Sequence, residues 1–198
     1  MNIIHPERLP QWPGMIDAMH DVHQFALQTG REKLIALDPN GRRLHVAEGD
    51  DHSVVIPDAR ELDLSGAYIV HSHPNISPLS PQDFAVVGSR NAAGILATMP
   101  DGGWSASSGW KFDVGDQWRG PSSQYRFVLD RFYGWGDQYH YRGFNNNVAG
   151  VSAGFRIIDE AFHNDAIKDH KIELGPEGKR YLHLAESIDP RGEKLRLE

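Results

Sequence analysis

The stretch from Ile69 to Phe84 restricts the fold and chemistry of this chain more than any other. A short apolar run there leads into two histidines, His71 and His73, and Pro74 follows directly. Residues i and i+2 of an extended strand point to the same side, so both imidazoles face one point. Pro74 has no N–H for continued strand pairing, so the pattern predicts that the strand ends there.

The residues after this strand predict a helix start that carries a carboxylate. Ser80 suits the N-cap and Pro81 the first helical position, and Asp83 lies in the first turn, three residues after the cap. Three protein ligands with water in the fourth position form the open type of zinc site that supports catalysis. The sequence therefore predicts Zn²⁺ bound by His71, His73 and Asp83. Ser80 and Asp83 also suit a purely structural helix cap, and the two interpretations are compatible.

Composition limits the classes of function. The 198 residues are 39% hydrophobic and 10% aromatic, enough for a core of one domain with an elaboration. A net charge of −7 argues against nucleic-acid binding by the chain as a whole. The absence of cysteine excludes disulfides and thiolate metal sites. Neither a membrane span nor a classical signal peptide is recognisable, so we expect a protein of the cytoplasm, or an effector exported by another route.

Hydrophobic periodicity predicts an α/β or α+β domain, a mixed β-sheet flanked by helices. Helices are expected at Gly14–Thr29, ending at the C-cap Gly30, and at Pro81–Arg90. Strands are expected at Lys33–Leu37, Arg42–Ala47 and Ser53–Ile56, forming an antiparallel meander, and at Gly66–His71, Gly94–Thr98 and Trp104–Trp110. Met1–Pro13 reads as an extended arm, and His20 and His23 as residues of the polar side or flank of the first helix.

The character of the chain changes near residue 110, which divides a core (1–110) from an aromatic-rich extension (111–198). Tyr133–Asn147 is either a loop held to the core by its aromatics or a surface that faces a substrate or protein partner. Gln124–Phe132 suits a strand or a helix, and Val148–His170 suits a helix. Ile172–Glu198 is polar with an apolar patch at Tyr181, Leu182 and Leu184, and its last residues read as a frayed or partner-dependent tail.

The spacing of His71, His73, Ser80 and Asp83 resembles that of the JAMM/MPN metallopeptidase family. The loop between the second histidine and the serine is one residue shorter than the usual form. In this respect the chain is similar to JAMM-like domains found with phage head-morphogenesis proteins and bacterial toxins. Those domains also carry a glutamate before a strand, an Asp-x-x-Gly turn and a second strand, and here Glu32 precedes such a turn. The resemblance covers roughly residues 30–103.

The resemblance implies a JAMM/MPN-like fold with a cytidine deaminase-like layout and a C-terminal elaboration. It implies that His71, His73 and Asp83 bind zinc. It also implies that Glu32 acts as the general base toward the attacking water, and that Ser80 helps to stabilise the oxyanion.

Three functions from different classes fit these observations. The first is a zinc metallohydrolase that cleaves a peptide, amide or isopeptide bond in a protein or peptide substrate, of deubiquitinase-like, phage-associated or toxin-associated type. The second is a non-catalytic JAMM-like binding or assembly module. The third is a metal-dependent phosphoesterase, because His-x-His also opens such sites, although these usually need further His and Asp ligands. Glu48 and Glu61 are rivals to Glu32 for the role of base.

Overall fold

A computed structural model describes residues 3–109 and 169–186, which form a six-stranded sheet flanked by helices. The strands are β1 (Lys33–Leu37), β2 (Arg43–Glu48), β3 (Tyr68–Ser72), β4 (Gly94–Thr98), β5 (Trp104–Ser108) and β6 (Asp169–Glu173). The helices are α1 (Met15–Thr29), α2 (Pro81–Arg90) and α3 (Pro176–Glu186). The strand order is β2-β1-β3-β4-β5-β6, with β3 and β4 parallel and the other neighbours antiparallel. The predicted class, a mixed sheet flanked by helices, is confirmed.

Each face of the sheet carries its own apolar core. Successive residues of a strand point to opposite faces, so strands covered on both faces are apolar almost throughout. Helix α1 packs on one face through residues such as Met19 and Val22, against Ile35 of β1. Helix α2 packs on the other face through Phe84 and Val87. His71 pairs in register with Leu34 and Ala97 of the α2-side core, so its side chain lies on the α2 face.

The connection between the two parallel strands positions the first turn of α2. Parallel neighbours require a crossover, and here it runs from β3 through a loop and α2 to β4. Helix α2 begins at the N-cap Ser80 and ends at Asn91, whose φ of 51° is the left-handed C-cap conformation. The predicted bounds of this helix and of β4 are confirmed, as is Gly30 as the C-cap of α1, with φ 69°.

The prediction of a third meander strand at Ser53–Ile56 is wrong. A third meander strand would pair with β2, but within the described ranges β2 pairs only with β1 and forms the edge of the sheet. The Asp50 carboxylate accepts hydrogen bonds from the backbone N–H groups of His52 and Ser53, both at 2.8 Å, and closes a turn there. The segment instead lies over the α2-side core, where Val54 and Ile56 are half-buried.

The expected extended N-terminal arm is also more structured than its sequence indicates. It contains a 3-10 turn at Pro6–Arg8, and Ile3 and Leu9 are buried in the α1-side core. The indole Nε1 of Trp104 donates a 2.8 Å hydrogen bond to the Ile4 carbonyl and ties the arm to β5.

His23 does not lie on the polar side of α1, whereas His20 is exposed as expected. The His23 side chain is buried among the inward-facing residues of the helix. Burial lowers the pKa of His23, because a charged imidazole there would lose its hydration. This histidine is therefore a packing residue.

The chain returns to the sheet at β6, which pairs with β5 along its whole length. Residues 110–168 lie outside the described residues, including the predictions for Gln124–Phe132, Tyr133–Asn147 and most of Val148–His170. Asp169 and His170, the residues next to them, are in β6 and not in a helix. Within the described ranges, no helix has the length and apolar character needed to cross a membrane.

A carboxylate from a distant turn caps helix α3. Asp101, in the turn between β4 and β5, accepts hydrogen bonds from Gly178 N at 3.0 Å and from Gly103 N at 3.1 Å. Gly175 lies directly before the helix, and a Cβ there would come within 2.1 Å of the Asp101 carboxyl group. The glycine thus makes room for a capping carboxylate from elsewhere in the chain, which stabilises the helix N-terminus.

We predict that Asp101→Ala lowers the free energy of unfolding by about 1–2 kcal/mol, because α3 loses its cap and buried N–H groups lose their acceptor. Chemical denaturation measures the change. Asp58→Ala is the matched control, since Asp58 accepts a similar bond from Arg60 N at 2.9 Å in an exposed turn. Equal losses in the two variants would contradict the capping role of Asp101.

Candidate metal centre

The side chains of His71, His73 and Asp83 converge on one point. The Nε2 atoms of the two histidines are 2.9 Å apart. Asp83 Oδ1 lies 3.0 Å from His71 Nε2, and Oδ2 lies 3.5 Å from His73 Nε2. Tetrahedral ligands at about 2.0–2.1 Å from zinc are separated from one another by about 3.3 Å. The three separations lie on both sides of this value, so the donor set fits a zinc ion. Within the described ranges, this is the one group of three or more His, Cys, Asp or Glu side chains whose ligand atoms lie close enough together to hold a metal ion.

The sheet and the crossover loop present these ligands from two directions. His71 lies in β3, and His73 follows its end, where His73 N donates a 2.8 Å hydrogen bond to the Thr98 carbonyl and prolongs the pairing with β4. Asp83 comes from the facing helix α2. The sequence predicted that His71 and His73 point to the same side and that Asp83 lies in the first turn of a helix. Both predictions agree with the observed arrangement.

Asp83 caps its own helix while it faces the imidazoles. Its Oδ2 accepts hydrogen bonds from Ser80 N at 2.6 Å and from Ser80 Oγ at 2.7 Å. Ser80 Oγ in turn accepts a 3.3 Å bond from Asp83 N, which completes a capping box. The cap fixes the rotamer that directs the carboxylate toward His71 and His73, so the capping role is compatible with a ligand role.

Ser77 holds the His73 ring, and sequence reasoning did not single it out. His73 Nδ1 is 2.7 Å from the Ser77 carbonyl oxygen and 3.1 Å from its Oγ. A carbonyl only accepts hydrogen bonds, so Nδ1 carries a proton, and the ring offers an Nε2 lone pair to the site once Nε2 is deprotonated. The sequence signal for this contact was the spacing of four residues from His73 to Ser77. Whether the Ser77 carbonyl reaches the ring depends on the conformation of the loop, which the sequence does not give.

Burial and mutual attraction set the charges of the group. Burial by itself raises the pKa of Asp83, but the imidazoles of His71 and His73 outweigh it and hold this pKa well below its usual range. Burial lowers the pKa of His73, whereas Asp83 and then Glu32 raise it, with a net value of about 9. Within the described part of the chain, the buried Nδ1 of His71 has no hydrogen-bond partner. Without an ion, a proton on the His73 imidazole offsets the Asp83 charge, and a divalent cation would displace this proton.

Glu32 lies on the same face as the ligand group. The antiparallel register of β1 and β3 pairs Leu34 with His71, and Glu32 and His73 each lie two residues further on, just beyond the strand ends. The backbone of Glu32 is fixed by bonds to Asp50 O at 2.7 Å and from Gly49 N at 2.8 Å. Its side chain lines the same cavity as the three ligand residues.

The environment of Glu32 favours its protonated form more than water does. Burial raises the pKa of Glu32, the nearby His73 and His71 oppose the rise, and the Asp83 charge adds to it. The rivals differ. Glu48 is exposed and pairs in register with Lys33, on the α1 side of the sheet, and Glu61 is exposed in a turn. Neither Glu48 nor Glu61 lines the cavity.

The cavity at the ligand group has a volume of about 480 Å³. One wall is aliphatic and the rest is polar, including the exposed His52. The residues not anticipated from sequence are Leu34, Asp51, His52, Ser53, Val54, Ile56, Asn75, Ser77, Gln82, Val86 and Ile95. The space is large enough for part of a substrate beside the ligand residues.

Comparisons with protein-family models, with curated proteins and with solved structures found no match. The function is therefore argued from the residues and their geometry.

We predict that the purified protein binds about one zinc ion per chain and that His71→Ala abolishes this binding, because two ligands remain. Elemental analysis after zinc loading and dialysis measures the stoichiometry. His52→Ala is the matched control, since His52 lines the same cavity on its exposed side and should keep the metal. Wild-type protein without metal after loading would contradict the site.

Proposed function

We propose that the protein is a zinc-dependent hydrolase of JAMM type that cleaves a peptide, amide or isopeptide bond. The observation that carries the proposal is the convergence of His71, His73 and Asp83 in a cavity that Glu32 also lines. Ligands alone would suit a structural site. Ligands beside a partly buried carboxylate and a space for substrate suit catalysis.

His71, His73 and Asp83 would hold the ion, Ser77 would orient the His73 ring, and Ser80 would orient the carboxylate. A zinc ion bound there would lower the pKa of a water molecule toward 7 and polarise the scissile carbonyl. Glu32 would take the proton of the attacking water on its carboxylate and deliver it to the leaving nitrogen. Its raised pKa suits both steps, because a group that gains and loses a proton works best near the operating pH.

Ser80 has two possible tasks in this proposal. Its hydroxyl donates to Asp83 Oδ2 and accepts from Asp83 N, so it orients the carboxylate ligand. The oxyanion role implied by the family resemblance requires this hydroxyl to turn toward the substrate oxygen. We propose that orientation of Asp83 is its resting role and that oxyanion contact follows substrate binding.

The cavity supports a protein or peptide substrate. Aliphatic side chains at Val54, Ile56 and Val86 form one wall, and polar groups surround the ligands. This combination suits a peptide, which offers apolar side chains together with backbone donors and acceptors. A deubiquitinase-like, phage-associated or toxin-associated role is part of the proposal and rests on the resemblance in loop length and motif.

The two alternatives differ from the proposal in measurable ways. A phosphoesterase centre usually gathers more His and Asp ligands than the three found together in the described ranges. A non-catalytic module would have no use for a base, and its properties would not depend on Glu32 beyond stability.

We predict that Glu32→Gln keeps zinc and lowers turnover by about 10²–10⁴-fold, since glutamine keeps the size of the side chain but takes no proton. Asp83→Ala should lose both zinc and activity, and also thermal stability, because it removes a ligand and a helix cap. Turnover is measured on quenched fluorescent peptides and on lysine-linked isopeptides, and zinc by elemental analysis. Glu48→Gln, on the α1 side of the sheet, is the matched control.

Near-normal turnover in Glu32→Gln would move the base elsewhere, and loss of its zinc would make Glu32 a ligand or a support of the site. Turnover of phosphodiesters and not of peptides would favour the phosphoesterase. Zinc binding with no turnover of any of these substrates would favour the module.

A further inference from the structure

We infer that Ser105, on β5, is a positioning residue for the candidate metal centre. It acts by fixing the metal loop, defined here as residues 74–79, through a hydrogen bond to Leu79. The inference rests on the proposed metal site but concerns a residue outside the ligand motif, on a different strand.

The contact is a buried hydroxyl that accepts from a loop amide. Leu79 N donates a hydrogen bond of 2.8 Å to Ser105 Oγ. Both residues are completely buried, so no water replaces either partner. A buried backbone N–H is costly without an acceptor, and the Leu79 amide precedes the helix and has no intrahelical carbonyl to bond. Ser105 therefore fixes the position of the Leu79 backbone, because the buried amide needs this hydroxyl as its acceptor.

The sheet register explains why this position matters. His71, Ala97 and Ser105 form one row across β3, β4 and β5 on the α2 face. Two strand spacings separate His71 from Ser105, roughly 10 Å. The metal loop leaves β3, reaches past β4 to the Ser105 hydroxyl on β5, and α2 then leads back to β4. The Leu79 contact thus sets the point at which α2 begins.

The positions of two of the three candidate ligands depend on where α2 begins. Ser80 follows Leu79, and its N–H and hydroxyl hold the Asp83 carboxylate. Ser77, in the same loop, holds the His73 ring through its carbonyl. His71 is fixed by β3 itself. A shift of Leu79 would therefore move Asp83 and His73 relative to His71 and enlarge the separations between the ligand atoms.

Ser107 provides a matched control on the same strand and face. It is also buried, but its Oγ is directed at the Asp169 carbonyl of β6, at 3.5 Å, and not at the metal loop. Replacing Ser107 removes an equal hydroxyl from the same sheet. A purely structural effect of removing a buried serine would appear in both variants.

The test compares full-chain Ser105→Ala and Ser107→Ala with the wild type. Zinc affinity is measured by competition with a chromophoric chelator, and Co²⁺ is substituted because its visible absorption reports ligand geometry. We expect Ser105→Ala to weaken zinc binding by about 10–100-fold, as for other residues that orient ligands, and to change the cobalt spectrum. Ser107→Ala should leave both unchanged. Equal affinity and spectra in the two variants would overturn the inference.

A second measurement needs no variant. In the metal-free wild type, hydrogen exchange followed by NMR should show the Leu79 amide protected, unlike an exposed loop amide. Rapid exchange at Leu79 would overturn the inference even if Ser105→Ala failed to fold. Wild-type protein that binds no zinc would instead refute the proposed function, and wild-type binding with an unaffected Ser105→Ala variant would refute only the role of Ser105.

Discussion

The Asp83 carboxylate is the group on which the rest of the site depends. One oxygen caps α2 by accepting from Ser80, and the same carboxylate lies 3.0 Å from His71 Nε2 and 3.5 Å from His73 Nε2. A carboxylate buried in this way is stable only if its charge is balanced. A protonated His73 or a divalent cation provides that balance, and the cap keeps the carboxylate oriented in either case. Helix formation, burial and ligand geometry are therefore coupled through a single side chain.

Structural support for the site comes from both described parts of the chain. Leu174 and Tyr181, from the C-terminal part, belong to the same apolar core as Ile76 and Leu79 of the metal loop. A Cβ on Gly178 would lie 3.4 Å from Ile76 Cγ2, so α3 approaches the loop closely. Asp101 connects this helix to the turn between β4 and β5. The geometry of the loop thus reflects packing from segments distant in sequence.

Features determined by neighbouring residues could be predicted from the sequence. Ser80 and Pro81 specify the start of α2, and Gly30 specifies the end of α1, because caps act within one turn. The strand period predicted the common direction of His71 and His73, and the first-turn position of Asp83 predicted that its carboxylate lies beside them. The family resemblance itself stays a prediction.

Features determined by contacts between distant residues could not be predicted. Ser53–Ile56 has a strand-like sequence, but the turn at Asp50 leads it over the α2-side core and not along the free edge of β2. His23 was assigned to the polar side of α1 because the side chains that surround it come from other parts of the chain. The acceptors for the His73 ring and the Leu79 amide became visible only once the crossover loop had a defined path. Single-sequence patterns carry little information on such contacts.

The central claim is that His71, His73 and Asp83 bind one metal ion together. Anomalous diffraction at the zinc edge, from crystals of the zinc-loaded full chain, tests it most directly. The account predicts one strong peak about 2.0–2.2 Å from the two Nε2 atoms and from an Asp83 oxygen. Zinc bound at other residues, with the imidazoles and the carboxylate still in direct contact with one another, would contradict it.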